Sequence, residues 1–423
     1  MMKFEFDVDW IRQQFPACQR QLNGVPVAFL DGPGGTQVPQ VVADRISEYY
    51  LHHNANEGGS FATSQETGEI YSQSREIIAD FLGCSSNEVI FGYSSTANTF
   101  ALAFALMKGF VPGDEIVITD IDHRCNRAPW LALERFGVVV KSVRVDPETQ
   151  QIDMADFESK LTPKTKVAAF NWASNALGTV SDVKTMCALA HKVGAITVVD
   201  AVHYSAHFPI DVKEIDTDVL IVSAYKFFGP HLGVMYVRES LIDKLEPYNV
   251  QTKDLQQGRR KFHQGTPPFG FIAGTAAAVE FIATIGEKYA SFFAEELAGL
   301  NGRRRNIVAG MLAIDHHEEP LARLLRDGIR SIPGATLYGP KEGEPRTSTI
   351  VFTIAGKNSA EVSQALGELG INTWDGNFYA VEVVNKVLGL EEIGGLVRIG
   401  LAPYTTQQDI LRTISAIKQI VGA

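Results

Sequence analysis

Lys226 and Asp200 are the two residues of this sequence whose type and position most directly imply chemistry. The stretch Ser223-Ala224-Tyr225-Lys226-Phe227-Phe228-Gly229-Pro230 follows the apolar run Val219-Leu220-Ile221-Val222, which reads as a buried strand. Lys226 therefore stands at the carboxyl end of a central strand, where lysine is rare unless its amine is used. Twenty-six residues upstream a second apolar run, Ile196-Thr197-Val198-Val199, ends in Asp200. A lysine and an acid at the ends of two nearby strands suit pyridoxal 5′-phosphate (PLP). The lysine forms the Schiff base and the acid keeps the pyridine nitrogen protonated. The plain alternatives are a surface lysine at a strand end and an acid that N-caps a helix.

The elements that must position these residues follow from the apolar pattern. Candidate strands are Val89–Phe91, Glu115–Thr119, Val138–Val145, Lys166–Phe170, Ile196–Val199, Val219–Val222 and Gly233–Val237. Most are continuous apolar runs, as in strands buried on both faces. Helix-like stretches such as Thr96–Lys108, Pro129–Phe136 and Val183–Val193 lie between them. That alternation predicts an α/β unit with a mainly parallel seven-stranded sheet. Ligands of such sheets bind beyond the carboxyl ends of the strands, where Asp200 and Lys226 fall. After the turn Gly265-Thr266-Pro267-Pro268, a helical region from about 272 to 300 links to a smaller α+β unit. Its strands include Ser348–Thr353 and Leu396–Ile399, and its helices Ser359–Leu369 and Thr406–Ile420. The expected division is a large domain over 20–285 and a small one over 286–423, with residues 1–19 packed against the small one.

The chain has 423 residues, 45% hydrophobic and 21% charged, an ordinary globular composition with ample capacity for a core. A net charge of −11 argues against nucleic acid as a partner, because no basic surplus exists to neutralise phosphates. Arg303-Arg304-Arg305 reads as a solvated helix face. The N-terminus carries acids where a signal peptide is basic, and no apolar run approaches membrane-spanning length, so no membrane partner is expected. Cys18, Cys84, Cys125 and Cys187 lie far apart, which suits a reduced cytoplasm and neither a disulfide framework nor a metal site.

Several segments, in this order, resemble the class V aminotransferase and cysteine desulfurase family of fold type I PLP enzymes, and its cysteine desulfurase-like branch above all. They are Phe29–Gln37, Asp122–Trp130, Ser174–Thr179, Val199–His203, Ser223–Pro230 and Val397–Gly400. Their order and spacing carry the resemblance across nearly the whole chain. It implies the PLP-dependent transferase fold and a role for each matching residue. His123 would stack on the cofactor ring, where the bland reading is a satisfied loop histidine. His203 and Asn175 would face the phenolic oxygen, Asn175 being otherwise a turn residue before Gly178. Ser95 and Thr96, at a helix start, would bind the phosphate with Ser223 and Tyr225 opposite; simple N-capping is compatible with that role. Thr266 would reach the phosphate of a second subunit, which implies a homodimer with active sites at the interface. Arg398, in an apolar strand pattern, would hold an α-carboxylate bidentately, so the substrate would be an α-amino acid.

The resemblance fails at one position. The family's sulfur-accepting cysteine belongs in the stretch Ile371–Tyr379, which contains none, and no cysteine follows Cys187. Cys125 reads as a small apolar side chain on another loop. Trp374, Asp375 and Tyr379 suggest a different substrate or are turn residues. Three functions follow: a lyase that breaks a Cβ–S or similar bond by elimination, an aminotransferase or epimerase, and a non-catalytic PLP-binding protein.

Overall fold

The continuous apolar runs pair into one sheet. The computed structural model describes residues 4–250 and 258–422. Seven strands form the large sheet: β1 (Val89–Gly92), β2 (Glu115–Thr119), β3 (Val139–Val143), β4 (Thr165–Asn171), β5 (Ile196–Asp200), β6 (Val219–Ser223) and β7 (Gly233–Val237). Their order is β1-β7-β6-β5-β4-β2-β3. β7 runs antiparallel to both β1 and β6, and the remaining pairs are parallel. All five residues of β6 are buried, as its unbroken apolar run requires of a strand covered on both faces. Each large apolar side chain among them contributes roughly 1.5–3 kcal/mol by leaving water.

Because β4, β5 and β6 are parallel neighbours, their carboxyl ends share one edge. Asn171 pairs with Asp200, and Asp200 with Ile221, so Asp200 lies just below the turn that carries Lys226. That turn is a short 3-10 segment, Ala224–Lys226. The helices covering the sheet include α1 (Ala62–Leu82), α2 (Ser95–Met107) and α3 (Val183–Lys192). α2 begins where Ser94 accepts a hydrogen bond from the Ala97 N–H, satisfying one of the free amides of the first turn.

α4 (Phe269–Tyr289) is shorter than the stretch expected from the sequence, and a second helix, α5 (Gly302–Arg330), follows it. Together with the next short turn, α4 is apolar and long enough to cross a membrane, contrary to the sequence reading. Yet 83% of that apolar window is buried inside the fold, which makes it a core helix. The expected helix over 129–136 is broken into Ala128–Leu131 and a 3-10 turn, Glu134–Phe136.

The second sheet orders β8 (Ala335–Tyr338), β9 (Thr349–Ile354), β11 (Leu396–Gly400) and β10 (Trp374–Gly376) as β8-β9-β11-β10. It carries helices α6 (Ser359–Glu368) and α7 (Gln407–Val421). α5 spans both units. Ile307, Met311 and Ile314 belong to the core of the large sheet, whereas Leu325 and Ile329 belong to that of the small one, with Pro320 between them. The N-terminal residues also touch both. Phe4 and Phe6 pack on Tyr289, Phe15 on Phe281 and Tyr404, and Arg12 bonds the Tyr404 carbonyl at 2.8 Å. The arginine triplet is only in part a solvated face: Arg303 is exposed, but Arg304 is engaged. Arg304 donates to the carbonyls of Asp80 and Phe81 at the end of α1 and to Ile210, and Arg303 pairs with Asp80 at 2.9 Å.

Candidate active site

The edge shared by β4, β5 and β6 is the floor of a cavity of about 830 Å³. Lys226 and Asp200 line it, together with Ser95, Thr96, His123, Asn175, His203, Tyr225 and Arg398. Lys226 is buried, its amine donates to the Pro33 carbonyl, and it lies 4.5 Å from the centre of the Tyr225 ring. Burial is the main reason its pKa falls to about 7, and the nearby Arg398 charge adds to the effect. An amine with a pKa near 7 has a large neutral fraction at neutral pH, and that form is a competent base and nucleophile.

Asp200 accepts the Val202 N–H at 2.9 Å on one oxygen and the Cys125 thiol at 3.4 Å on the other. Burial nonetheless raises its pKa. Cys125 is thus no mere apolar filler: it lines the cavity and its thiol is committed to Asp200. Burial and the Asp200 charge push that thiol well above its usual pKa. His123 does not activate it, because the His123 Nδ1 accepts the Cys125 backbone N–H at 3.0 Å. The same bond leaves the proton on Nε2, and burial lowers the His123 pKa to about 4, so the ring is neutral.

Three buried polar atoms on the cavity wall have no hydrogen-bond partner among the described residues: Asn175 Oδ1, His203 Nδ1 and Arg398 Nε. Each belongs to a side chain otherwise held in place. Asn175 donates to the Phe378 carbonyl at 2.9 Å, and Arg398 donates to the Asn175 carbonyl at 2.8 Å. His203 Nε2 lies 2.9 Å from the Thr349 hydroxyl and 3.2 Å from that of Thr347. Burial keeps His203 neutral and draws the Arg398 pKa down to about 9. Unsatisfied polar atoms of this kind are costly unless a ligand meets them.

The opposite wall is the loop from Trp374 to Tyr379. Phe378 lies under the Arg398 guanidinium, 4.0 Å from ring centre to carbon, and Tyr379 packs beside His123 at 5.4 Å. Both residues have positive φ, 54° and 59°, which is strained for aromatic side chains. Three bonds hold them there: Asn175 to the Phe378 carbonyl, the Arg124 N–H to the Tyr379 carbonyl at 2.8 Å, and the Tyr379 N–H to Asn377 Oδ1 at 3.1 Å. Gly34 leaves room for the Trp374 indole, which a Cβ at that position would strike.

Two of the expected site residues stand apart. Ser223 is buried at the end of β6 but does not line the cavity, and Thr266 lies outside it, where the Tyr93 hydroxyl reaches its carbonyl at 3.4 Å. Asn171, Gly34 and Phe378 line the cavity although the sequence reading gives them no role. Asn171 was within reach, since it ends a strand beside Asp200; the other two depend on how the loop folds back.

The class V aminotransferase profile matches residues 28–301 and 306–412. A probable cysteine desulfurase of Mycobacterium leprae is 32% identical over 98% of this chain, which spans 65% of that relative's length. A cysteine desulfurase of Pectobacterium carotovorum is 28% identical, with 98% of both chains covered. Among solved structures, the apo cysteine desulfurase of Thermococcus onnurineus superposes with a TM-score of 0.86 at 26% identity, covering 100% of each chain. The chain belongs to the class V aminotransferase family. This is a family of PLP-dependent enzymes, and within it the chain is cysteine desulfurase-like in sequence and fold.

The cavity fits the cofactor of that family. It offers a buried amine of lowered pKa, a buried carboxylate, the first turn of α2 as an anion site, and unpartnered polar atoms on Asn175 and His203. It differs from the expected desulfurase in its thiols. Among the described residues, Cys125 is the one cysteine that lines the cavity.

Proposed function

We propose that this class V enzyme acts on an α-amino acid and breaks its Cβ–S bond, or a similar bond, by elimination without a persulfide relay. The carrying observation is the state of the site's thiols. The Trp374–Tyr379 wall has none, and Cys125 is bonded to Asp200 with its pKa driven up. Attack on a substrate sulfur needs a thiolate. Elimination needs only a base and an electron sink.

When bound, PLP supplies the sink for the electron pair left at the substrate Cα. Lys226 would hold the cofactor covalently and then take the Cα proton on its neutral amine. Asp200 would keep a proton on the ring nitrogen. His123 would cover the ring face, and Asn175 and His203 would meet the phenolic oxygen with the polar atoms they leave unpaired. Ser95 and Thr96, with Tyr225, would hold the phosphate, while Ser223 lies outside the cavity. Arg398 would receive the carboxylate.

Incubation with cysteine tests the proposal. Sulfide, pyruvate and ammonia in equal amounts are expected. Alanine with a protein persulfide, lost in Cys125→Ala, would overturn it. Formation of a keto acid with retention of the side chain would favour an aminotransferase instead.

The assembly proposed is a homodimer in which Thr266 of the partner subunit completes the phosphate site. Its support is that Thr266 lies away from its own cavity, beside the exposed Tyr93. The four cysteines are free, which suits the cytoplasmic location also proposed.

A further inference from the structure

Of the three unpaired atoms on the cavity wall, the sense of two is fixed by side-chain type: Asn175 Oδ1 accepts and Arg398 Nε donates. His203 Nδ1 is different. It donates in one neutral tautomer of the ring and accepts in the other. The choice depends on what the other ring nitrogen meets. Thr349 Oγ1 lies 2.9 Å from His203 Nε2, and Thr347 Oγ1 lies 3.2 Å from it. His203 follows β5 of the large sheet, whereas Thr349 opens β9 of the small unit and Thr347 stands two residues ahead of it. All three residues are buried.

Each threonine hydroxyl has one proton to give. Among the described residues neither hydroxyl has an acceptor other than Nε2. Thr347 Oγ1 is itself already an acceptor, from the Thr349 N–H at 3.4 Å. If the ring proton were on Nε2, both hydroxyl protons and the Nδ1 lone pair would be buried without a partner. With the proton on Nδ1, Nε2 accepts from Thr349, and Thr347 shares that lone pair or is the one orphan hydroxyl. The second arrangement leaves fewer buried polar groups unmet, and each unmet group is costly. The doubly protonated ring is disfavoured by burial.

We infer that Thr347 and Thr349 fix His203 as the Nδ1–H tautomer, and that the free N–H is the donor for the cofactor's phenolic oxygen. An ionised oxygen there needs a donor, and a ring lone pair in the same place would repel it. The two threonines act through His203 and are therefore positioning residues. The identity of the acceptor rests on the PLP reading above, whereas the tautomer follows from the threonines alone. Because His203 and the threonines belong to different units, the contact between the two sheets sets the sense of the donor. His203 also lines a space of about 10 Å³ beside the main cavity, room for about one water, and the experiment separates the two possible faces.

The test reads the tautomer in the full chain, first without PLP. Histidine is labelled with nitrogen-15, and the ring nitrogens are correlated with the carbon-bound ring protons by NMR. The His203 signals are those that vanish in His203→Gln. Protonated Nδ1 with bare Nε2 is expected, and a protonated Nε2 would overturn the inference. Thr347→Val together with Thr349→Val keeps the shape and removes both hydroxyls. The tautomer ratio should move about tenfold or more toward Nε2–H, and PLP affinity by equilibrium dialysis should fall by a similar factor. The corresponding pair of serines keeps both hydroxyls and should restore the ratio. A purely structural role would lower thermal stability and leave the ratio unmoved, and an unmoved ratio in the folded valine variant would overturn the inference. Thr349→Val alone gives the same reading if the pair does not fold. Adding PLP to the unaltered chain should move the His203 Nδ1 signal. An unmoved signal in a chain that binds PLP would place the free N–H at the small space and overturn its link to the cofactor. Failure of PLP to bind would sink the proposed function and that link, while the tautomer is read without PLP.

Discussion

Burial lowers the Lys226 pKa to about 7, and this has a consequence for stability. Its folded pKa lies below the ordinary lysine value of 10.5. Between about 7 and 10.5 the unfolded chain binds a proton that the folded chain does not. Stability therefore rises with pH across that window, and the contribution is lost as pH falls through 7. Lys226→Met should remove this rise, as measured by denaturant unfolding of the cofactor-free protein at about pH 7 and about pH 9.5. A second prediction concerns Asp200. Asp200→Asn keeps the shape but cannot hold a proton on the ring nitrogen electrostatically. Activity is expected to drop about a hundredfold or more with the fold intact by circular dichroism. Turnover near that of the unaltered protein would end the role given to Asp200. Cys125, its thiol raised and bonded to Asp200, should resist iodoacetamide at neutral pH while an exposed thiol reacts.

Helices α4 and α5 run so close that their backbones touch. A Cβ at Gly310 would strike the Ile282 carbonyl, and one at Gly286 would strike the Asn306 carbonyl. Alanine normally stabilises a helix interior by about 0.5–1 kcal/mol over glycine. Here backbone must move, and overpacking of this kind costs about 1–3 kcal/mol. Gly310→Ala should therefore destabilise the protein in urea unfolding, and a gain in stability would show that the helices separate easily. α5 itself spans both cores.

At the scale of the molecule, the site draws on segments far apart in the chain. The large sheet supplies Asp200 and Lys226, the small unit supplies Arg398 and the Trp374–Tyr379 wall, and the partner subunit is proposed to supply Thr266. Sedimentation should give a dimer. Thr266→Ala should weaken PLP binding without changing the sedimentation coefficient. A monomer that binds PLP fully would refute the shared site.

The strands that carry Asp200 and Lys226 were legible because their signal is local: a run of apolar residues ending in a single polar one. The seven strands of the large sheet lie within a few residues of where the apolar runs put them. Family membership was legible too, since it rests on ordered short segments. What required the folded chain are contacts between distant residues with no periodicity to announce them. Cys125 meets Asp200 across 75 positions, His207 meets Glu318 across 111, and His203 meets Thr349 across 146. Arg304 reads as surface in a charged triplet, yet it caps the end of α1 because α5 happens to cross there. An apolar run states that a segment is buried, while the partner of a buried polar group is chosen by topology, and only the tertiary structure supplies that.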